Sequence, residues 1–155
     1  IDFVPAHDMT RVLFCHAAAD RLQAAAAWLW QAATPGGAAG AVIYAPDGRL
    51  AERLDQMLWT NPATGFLPHC RARSPLAAET PILIAGTAEE LDQIAQDGVL
   101  LNLSDDLPPG FGRFAQLVEI ISQDDGVRLP GRERAKFYRD RGYDIQYRDL
   151  QKEPL

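Results

Sequence analysis

Five short apolar runs recur along the chain, and segments with apolar residues at helical spacing separate them. The runs are Thr10-Arg-Val-Leu-Phe-Cys15, Ala41-Val-Ile-Tyr-Ala45, Pro81-Ile-Leu-Ile-Ala85, Val99-Leu-Leu-Asn-Leu103 and Leu117-Val-Glu-Ile-Ile121. Each has strand length, and Pro81–Ala85 reads as a short buried strand. Between them, Leu22, Ala26, Leu29 and Ala33 form one helical stripe, and Leu50, Leu54, Met57 and Leu58 form a second. Thr87 followed by Glu90 has the form of a capping box opening a brief helix. Strands that alternate with helices are joined by parallel crossovers. The expected fold is therefore α/β, a three-layer α/β/α sandwich around a mostly parallel sheet. A last helix is expected from Pro130, at its first turn, to Gly142, its C-terminal cap, with an edge strand over Tyr143–Tyr147.

A chain of 155 residues is the length of one domain, able to bury about 70% of its unfolded surface without staples. Residues 1–150 are assigned to that domain, and the polar tail 151–155 is expected to be loose. No apolar run reaches the roughly 18 residues of a membrane span, and no export signal is recognisable at the start. Two cysteines, Cys15 and Cys70, are too few for a disulfide framework, so a reducing cytoplasm is the expected setting.

The fold class invites a nucleotide site, but neither Gly-x-Gly-x-x-Gly nor a P-loop follows any of these strands. The turn after the first strand, Cys15-His-Ala-Ala-Ala-Asp20, has no glycine to admit a phosphate to the backbone. Cys15-His16 and His69-Cys70 are zinc-type ligand types, yet neighbours on extended chain point to opposite faces and the spacing is not that of a structural zinc site. The acidic pairs Glu89-Glu90, Asp105-Asp106 and Asp124-Asp125 read as solvated loops and helix starts. No cofactor, metal or catalytic group is nominated.

Two stretches remain. Leu54–Cys70 passes from an amphipathic helix into a connection marked by Pro62, Gly65 and Pro68, and places Trp59 and Phe66 on or beside it. Such aromatics either cap the core or form a rigid apolar platform for a partner. The second stretch is basic. Net charge is −6, which argues against wrapping nucleic acid, but six of the fifteen Lys and Arg fall between Arg128 and Arg141. Arg128, Arg132, Lys136 and Arg139 line one helical face, with Arg134, Tyr138 and Arg141 as a second row, while Ala135, Tyr138 and Gly142 could face the sheet. This is either a solvated face or a docking site for carboxylates or phosphates, to which guanidinium forks are matched.

An ordered set of motifs resembles one family. Thr10-Arg-Val-Leu-Phe, Leu54-Asp-x-x-Leu-Trp59, Phe66-x-Pro-His69 and Leu101-Asn-Leu-Ser-x-x-Leu-Pro108 come first. Phe114, Glu119 and Arg132-x-Arg-x-Lys-x-Tyr-Arg-x-x-Gly-Tyr143 follow. In this order they resemble the chi subunit of bacterial DNA polymerase III, an accessory protein of the clamp-loader complex.

The resemblance implies a nucleotide-binding-like fold without a nucleotide site, and a replication adaptor rather than an enzyme. It implies a psi-subunit surface containing Trp59 and Phe66, with Pro62, Pro68 and His69 shaping the loop. It also implies a site for the acidic C-terminal tail of single-stranded DNA-binding protein, which ends in Pro-Phe, on Arg128, Arg132 and Lys136 with Tyr138 and Arg139. Relatives commonly carry an aromatic where this chain has Ala135, so the resemblance implies a tail-pocket wall that is either shallower or rebuilt from Tyr138. DNA would be reached only indirectly, at the replisome. The rival readings are a nucleotide-dependent α/β enzyme and a direct single-stranded DNA-binding module.

Overall fold

The computed structural model describes residues 9–33, 40–60 and 67–155. Seven strands make one sheet: β1 (Arg11–Ala18), β2 (Ala41–Tyr44), β3 (His69–Arg71), β4 (Ile82–Ala85), β5 (Val99–Asn102), β6 (Gln116–Ser122) and β7 (Ile145–Asp149). Their spatial order is β3-β4-β2-β5-β6-β1-β7, and every pairing is parallel. The helices are α1 (Arg21–Ala33), α2 (Gly48–Thr60), α3 (Ala88–Gln93) and α4 (Asp125–Asp140). The three-layer α/β sandwich expected from the sequence is the observed architecture.

Alternation along the strands divides the core. Ile43, Ile82, Ile84, Leu101, Val118 and Ile120 face α1 and α2, where Leu22, Leu29, Leu54 and Leu58 close the layer. The intervening Val42, Leu83, Leu100 and Leu117 face the opposite way, toward Leu91 of α3 and Tyr138 of α4. Strands buried on both faces explain why they read as continuous apolar runs. Local chemistry sets the helix starts: Asp20 Oδ1 accepts from the Gln23 amide at 2.9 Å, and Asp47 Oδ1 from the Arg49 amide at 3.0 Å. The capping box forms with one change of partner. The Glu90 amide donates to Thr87 Oγ1, while the Glu90 carboxylate accepts from the Gly86 amide.

Three expectations need correction. His69–Arg71, expected to be loop, is the edge strand β3, paired with β4 in the register His69↔Ile82. A three-residue strand is too short to show a period. Second, α4 begins at Asp125, so Arg128 is helical and Pro130 lies inside. Pro130 removes one backbone bond, to the Gly126 carbonyl, and Gly126 is exposed where water can replace the donor. Third, β1 runs on through His16, and its register against β6 shifts between Cys15 and Ala18, where Ala17 has φ 63°. A bulge of this kind re-aims side chains at the end of a strand. Beyond β7, the amides of Lys152 and Glu153 donate to the Asp149 carbonyl, Arg148 donates to the carbonyls of Glu153 and Pro154, and Leu155 packs against the α1 and α2 layer.

β1 and β6 are neighbours, yet β1 feeds α1 on one face and β6 feeds α4 on the other. The crevice beyond their C-terminal ends is thus a topological switch point, where open α/β sheets place ligands.

Candidate functional site

α4 carries arginines on two faces with opposite fates. Gly131, Arg134, Ala135 and Tyr138 are its buried residues. Arg134 reaches Glu119, in the middle of β6, through Nε at 2.9 Å and Nη2 at 3.0 Å, and its Nη1 donates to the Asp105 carbonyl at 2.8 Å. Burial alone would lower the Arg134 pKa, but the hydrogen bond and charge of Glu119 outweigh it and hold the guanidinium above its ordinary range. Tyr138 Oη donates to Glu119 Oε2 at 2.7 Å, and Asn102 Nδ2 donates to both carboxylate oxygens. Burial first, and then the Glu119 charge, push the Tyr138 hydroxyl far above the usual tyrosine range, so it stays protonated. Tyr138 is fully buried in this network and corrects the sequence expectation: its ring points at the sheet and lines no surface site.

The row that faces the cleft is Arg128, Arg132, buried Ala135 and Arg139, at i, i+4, i+7 and i+11. These four residues border a cleft of about 520 Å³ at the switch point, together with Phe14, His16 and Ala17 of β1, Ile121 and Ser122 of β6, Gln123, and Tyr147 of β7. Its floor is apolar, from buried Phe14, Ile121 and Ala135, and its rim is cationic. At one end Arg128 Nη2 lies 2.6 Å from Asp125 Oδ1. At the other, Arg139 Nη1 donates to Tyr147 Oη at 3.1 Å. Between them Arg132 is exposed, and among the described residues no acid lies within ion-pair distance of it. Lys136 is exposed beside the row but does not border the cleft. Arg141 stacks over the Phe137 ring at 4.6 Å. Phe14, Ile121 and Tyr147, which complete the cleft, were not singled out from sequence, because parallel register brings them together from β1, β6 and β7.

Trp59 stands near the end of α2, 55% exposed, with its ring centroid 5.0 Å from that of His69. The His69 ring is buried beneath it. Its Nδ1 donates to the Leu67 carbonyl at 2.7 Å, while Nε2 lies 3.2 Å from Asp55 Oδ1 without the alignment of a hydrogen bond. Pro68 is exposed. Pro62 and Phe66 lie outside the described residues. Among the described residues no three His, Cys, Asp or Glu side chains converge as a metal site, and no helix is long and apolar enough to cross a membrane.

A parallel α/β layer protein with an arginine-rimmed, apolar-floored cleft at its switch point belongs to the class that can recognise an anionic ligand with an apolar end. The family is shown by comparison. The family model described as "DNA polymerase III chi subunit, HolC" matches residues 9–146, and the chain belongs to that family. It is 28% identical over 104 residues to the DNA polymerase III subunit chi of Escherichia coli (strain K12), covering 67% of this chain and 69% of that protein. The subunit chi of Pseudomonas aeruginosa is also 28% identical over 104 residues, covering 67% of this chain and 70% of that protein. That of Haemophilus influenzae is 26% identical over 95 residues, 61% of this chain and 65% of that protein.

Proposed function

We propose that this chain is an accessory subunit of DNA polymerase III in DNA replication, joining two partners through separate surfaces. Family membership supports the assignment to the polymerase complex. The finer reading gives the Trp59 surface, with His69 and Pro68 beneath and beside it and Pro62 and Phe66 on the adjoining segment, to the psi subunit at the clamp loader. The cleft takes the acidic C-terminal tail of single-stranded DNA-binding protein, which ends in Pro-Phe.

The observation that carries the tail reading is Arg132, a cation with no acid against it among the described residues, set on the rim above an apolar floor. A free carboxylate with an apolar last residue satisfies both at once. Arg128 and Arg139 hold the two ends of the groove, and Lys136 adds charge just outside it. Along α4, the eleven steps from Arg128 to Arg139 span roughly 16 Å, room for about five residues of extended peptide. The two surfaces do not compete. α2 runs back against the strand direction, so Trp59 lies toward the strand N-termini on one face, while the cleft opens at the strand C-termini beside α4 on the other.

Fluorescence anisotropy with a labelled acidic peptide ending in Pro-Phe tests the reading. Arg132→Ala is expected to cost about 1–3 kcal/mol of affinity, the scale for hydrogen bonds to charged groups. Lys136→Ala is expected to cost a few tenths, as a rim charge. Binding is expected to weaken with salt, since exposed pairs are screened over about 8–10 Å. Undiminished binding by the Arg132→Ala, Lys136→Ala double variant refutes the assignment. Bare single-stranded DNA is the companion probe: comparable affinity for it would favour a direct DNA-binding module, against the acidic balance of the chain.

A further inference from the structure

We infer that Tyr147, braced by Phe14, is the wall of the cleft that selects an aromatic side chain, doing the work that no residue of α4 can do. This inference rests on the peptide-tail reading above. Helix α4 offers only Ala135 at the floor, and its own Tyr138 is turned inward onto Glu119. The ring that borders the cleft comes instead from the edge strand. Phe14 and Tyr147 are register partners on β1 and β7, so their side chains rise on the same face of the sheet. Their rings meet edge to face, with centroids 5.6 Å apart and an interplanar angle of 62°.

Tyr147 is 47% exposed, although its register partner Phe14 is buried. Its hydroxyl is already engaged, accepting from Arg139 Nη1 across the end of the groove. That bond ties β7 to α4 at the rim, while the edge-to-face contact with Phe14 sets the orientation of the ring. The small methyl of Ala135 leaves the volume beside Ile121 open. A third ring entering there can continue the edge-to-face pattern of Phe14 and Tyr147, with the guanidinium groups at the rim close to its face. An aliphatic side chain of equal bulk fills the space without that geometry. The wall therefore discriminates by ring shape, while the arginines discriminate by charge.

The experiment is a cycle between protein and peptide. Three labelled acidic peptides with a free carboxylate, ending in Pro-Phe, Pro-Leu or Pro-Ala, are titrated by anisotropy against the full chain. The same titrations are run on Tyr147→Ala, Tyr147→Leu and Tyr147→Phe. The unaltered chain is expected to prefer the Phe-ended over the Leu-ended peptide by about three- to tenfold, the size of an aromatic pair preference. Tyr147→Ala and Tyr147→Leu are expected to reduce that ratio to about twofold or less while leaving the Ala-ended peptide nearly unchanged. Tyr147→Phe keeps the ring and is expected to keep the ratio. If either non-aromatic variant melts at a lower temperature, the other, matched in bulk or stability, carries the comparison. A ratio unaltered in every Tyr147 variant overturns the wall, even while Arg132→Ala still weakens binding and the tail reading stands. Absence of binding to all three peptides by the unaltered chain overturns the tail reading and the wall together.

Discussion

Glu119→Gln is the sharpest probe of what holds the cleft in place. Glu119 is fully buried, and its carboxylate accepts from Arg134 Nε at 2.9 Å, Arg134 Nη2 at 3.0 Å, Tyr138 Oη at 2.7 Å and Asn102 Nδ2 at 3.1 Å. A glutamine of the same shape can keep its carbonyl at the Oε2 position, toward Nε, Oη and Asn102. Its amide then replaces Oε1 and faces the Nη2 donor, losing a charge-assisted bond and setting donor against donor. The charge of Arg134 remains, 4% exposed, with only the Asp105 carbonyl as a further acceptor. Breaking a buried pair from one side costs about 3–5 kcal/mol, because the remaining charge stays desolvated. Against a usual domain stability of about 5–15 kcal/mol, that is a large fraction. Urea unfolding followed by circular dichroism is expected to show the midpoint fall accordingly. A second variant separates pairing from packing. Glu119→Leu combined with Arg134→Met removes both charges, and is expected to be more stable than Glu119→Leu alone, although Tyr138 still lacks its acceptor. A Glu119→Gln cost below about 1 kcal/mol would mean that water reaches Arg134, and would refute the account of a dry pair anchoring α4 to β6.

Two further outcomes follow from the structure. Trp59→Ala is expected to leave thermal melting nearly unchanged, the ring being half exposed, and to cost about 2 kcal/mol or more of affinity for psi in a pull-down or calorimetric titration; loss of the fold instead would return Trp59 to the core. Stability is expected to fall as pH rises from about 9 toward 11. Burial pushes the Cys15 thiol up to about 11 from an ordinary 9.0, against a smaller lowering by Arg148, so the unfolded chain releases this proton first. The contribution is fully present below pH 9 and is lost through that window. The Cys15→Ala variant is expected to flatten the decline in urea midpoints between pH 8 and about 11, and an equal decline in both proteins refutes the thiol as its source.

Much of the sheet was legible because strands buried on both faces cannot hide their apolar runs. What escaped the sequence reading escaped for physical reasons. β3 is three residues after a proline, held by pairing with β4 and not by any pattern of its own. Proline suits a first turn, which points to a start at Pro130, whereas α4 starts at Asp125 and the exposed Gly126 makes Pro130 tolerable inside it. Spacing alone fits Tyr138 both to the second basic row and to the sheet-facing set, and it is the family resemblance that draws it to the tail site. A carboxylate in the middle of Leu117-Val-Glu-Ile-Ile121 was the available signal. A charge inside an all-apolar strand demands a buried cation, and Arg134 is that cation.

The two faces of α4 are consequences of one arrangement. A bidentate pair is directional, so the Arg134 fork fixes not only how close α4 sits to β6 but also its rotation about its own axis. Gly131 permits the approach, since a Cβ there would fall 2.7 Å from Ile121 Cδ1. With that rotation set, residues three or four positions apart on the next row must face the switch point, and Arg128, Arg132, Ala135 and Arg139 do. The inward arginine spends its charge on Glu119, and Arg128 lies against Asp125, whereas Arg132 faces the crevice with no acid of the described chain against it. A helix that had simply scattered its cations over a solvated face would need no buried anchor. Here the anchor and the cleft are linked by helical periodicity, so loosening Glu119 is expected to blur the rim at Arg132 even though neither residue touches the other.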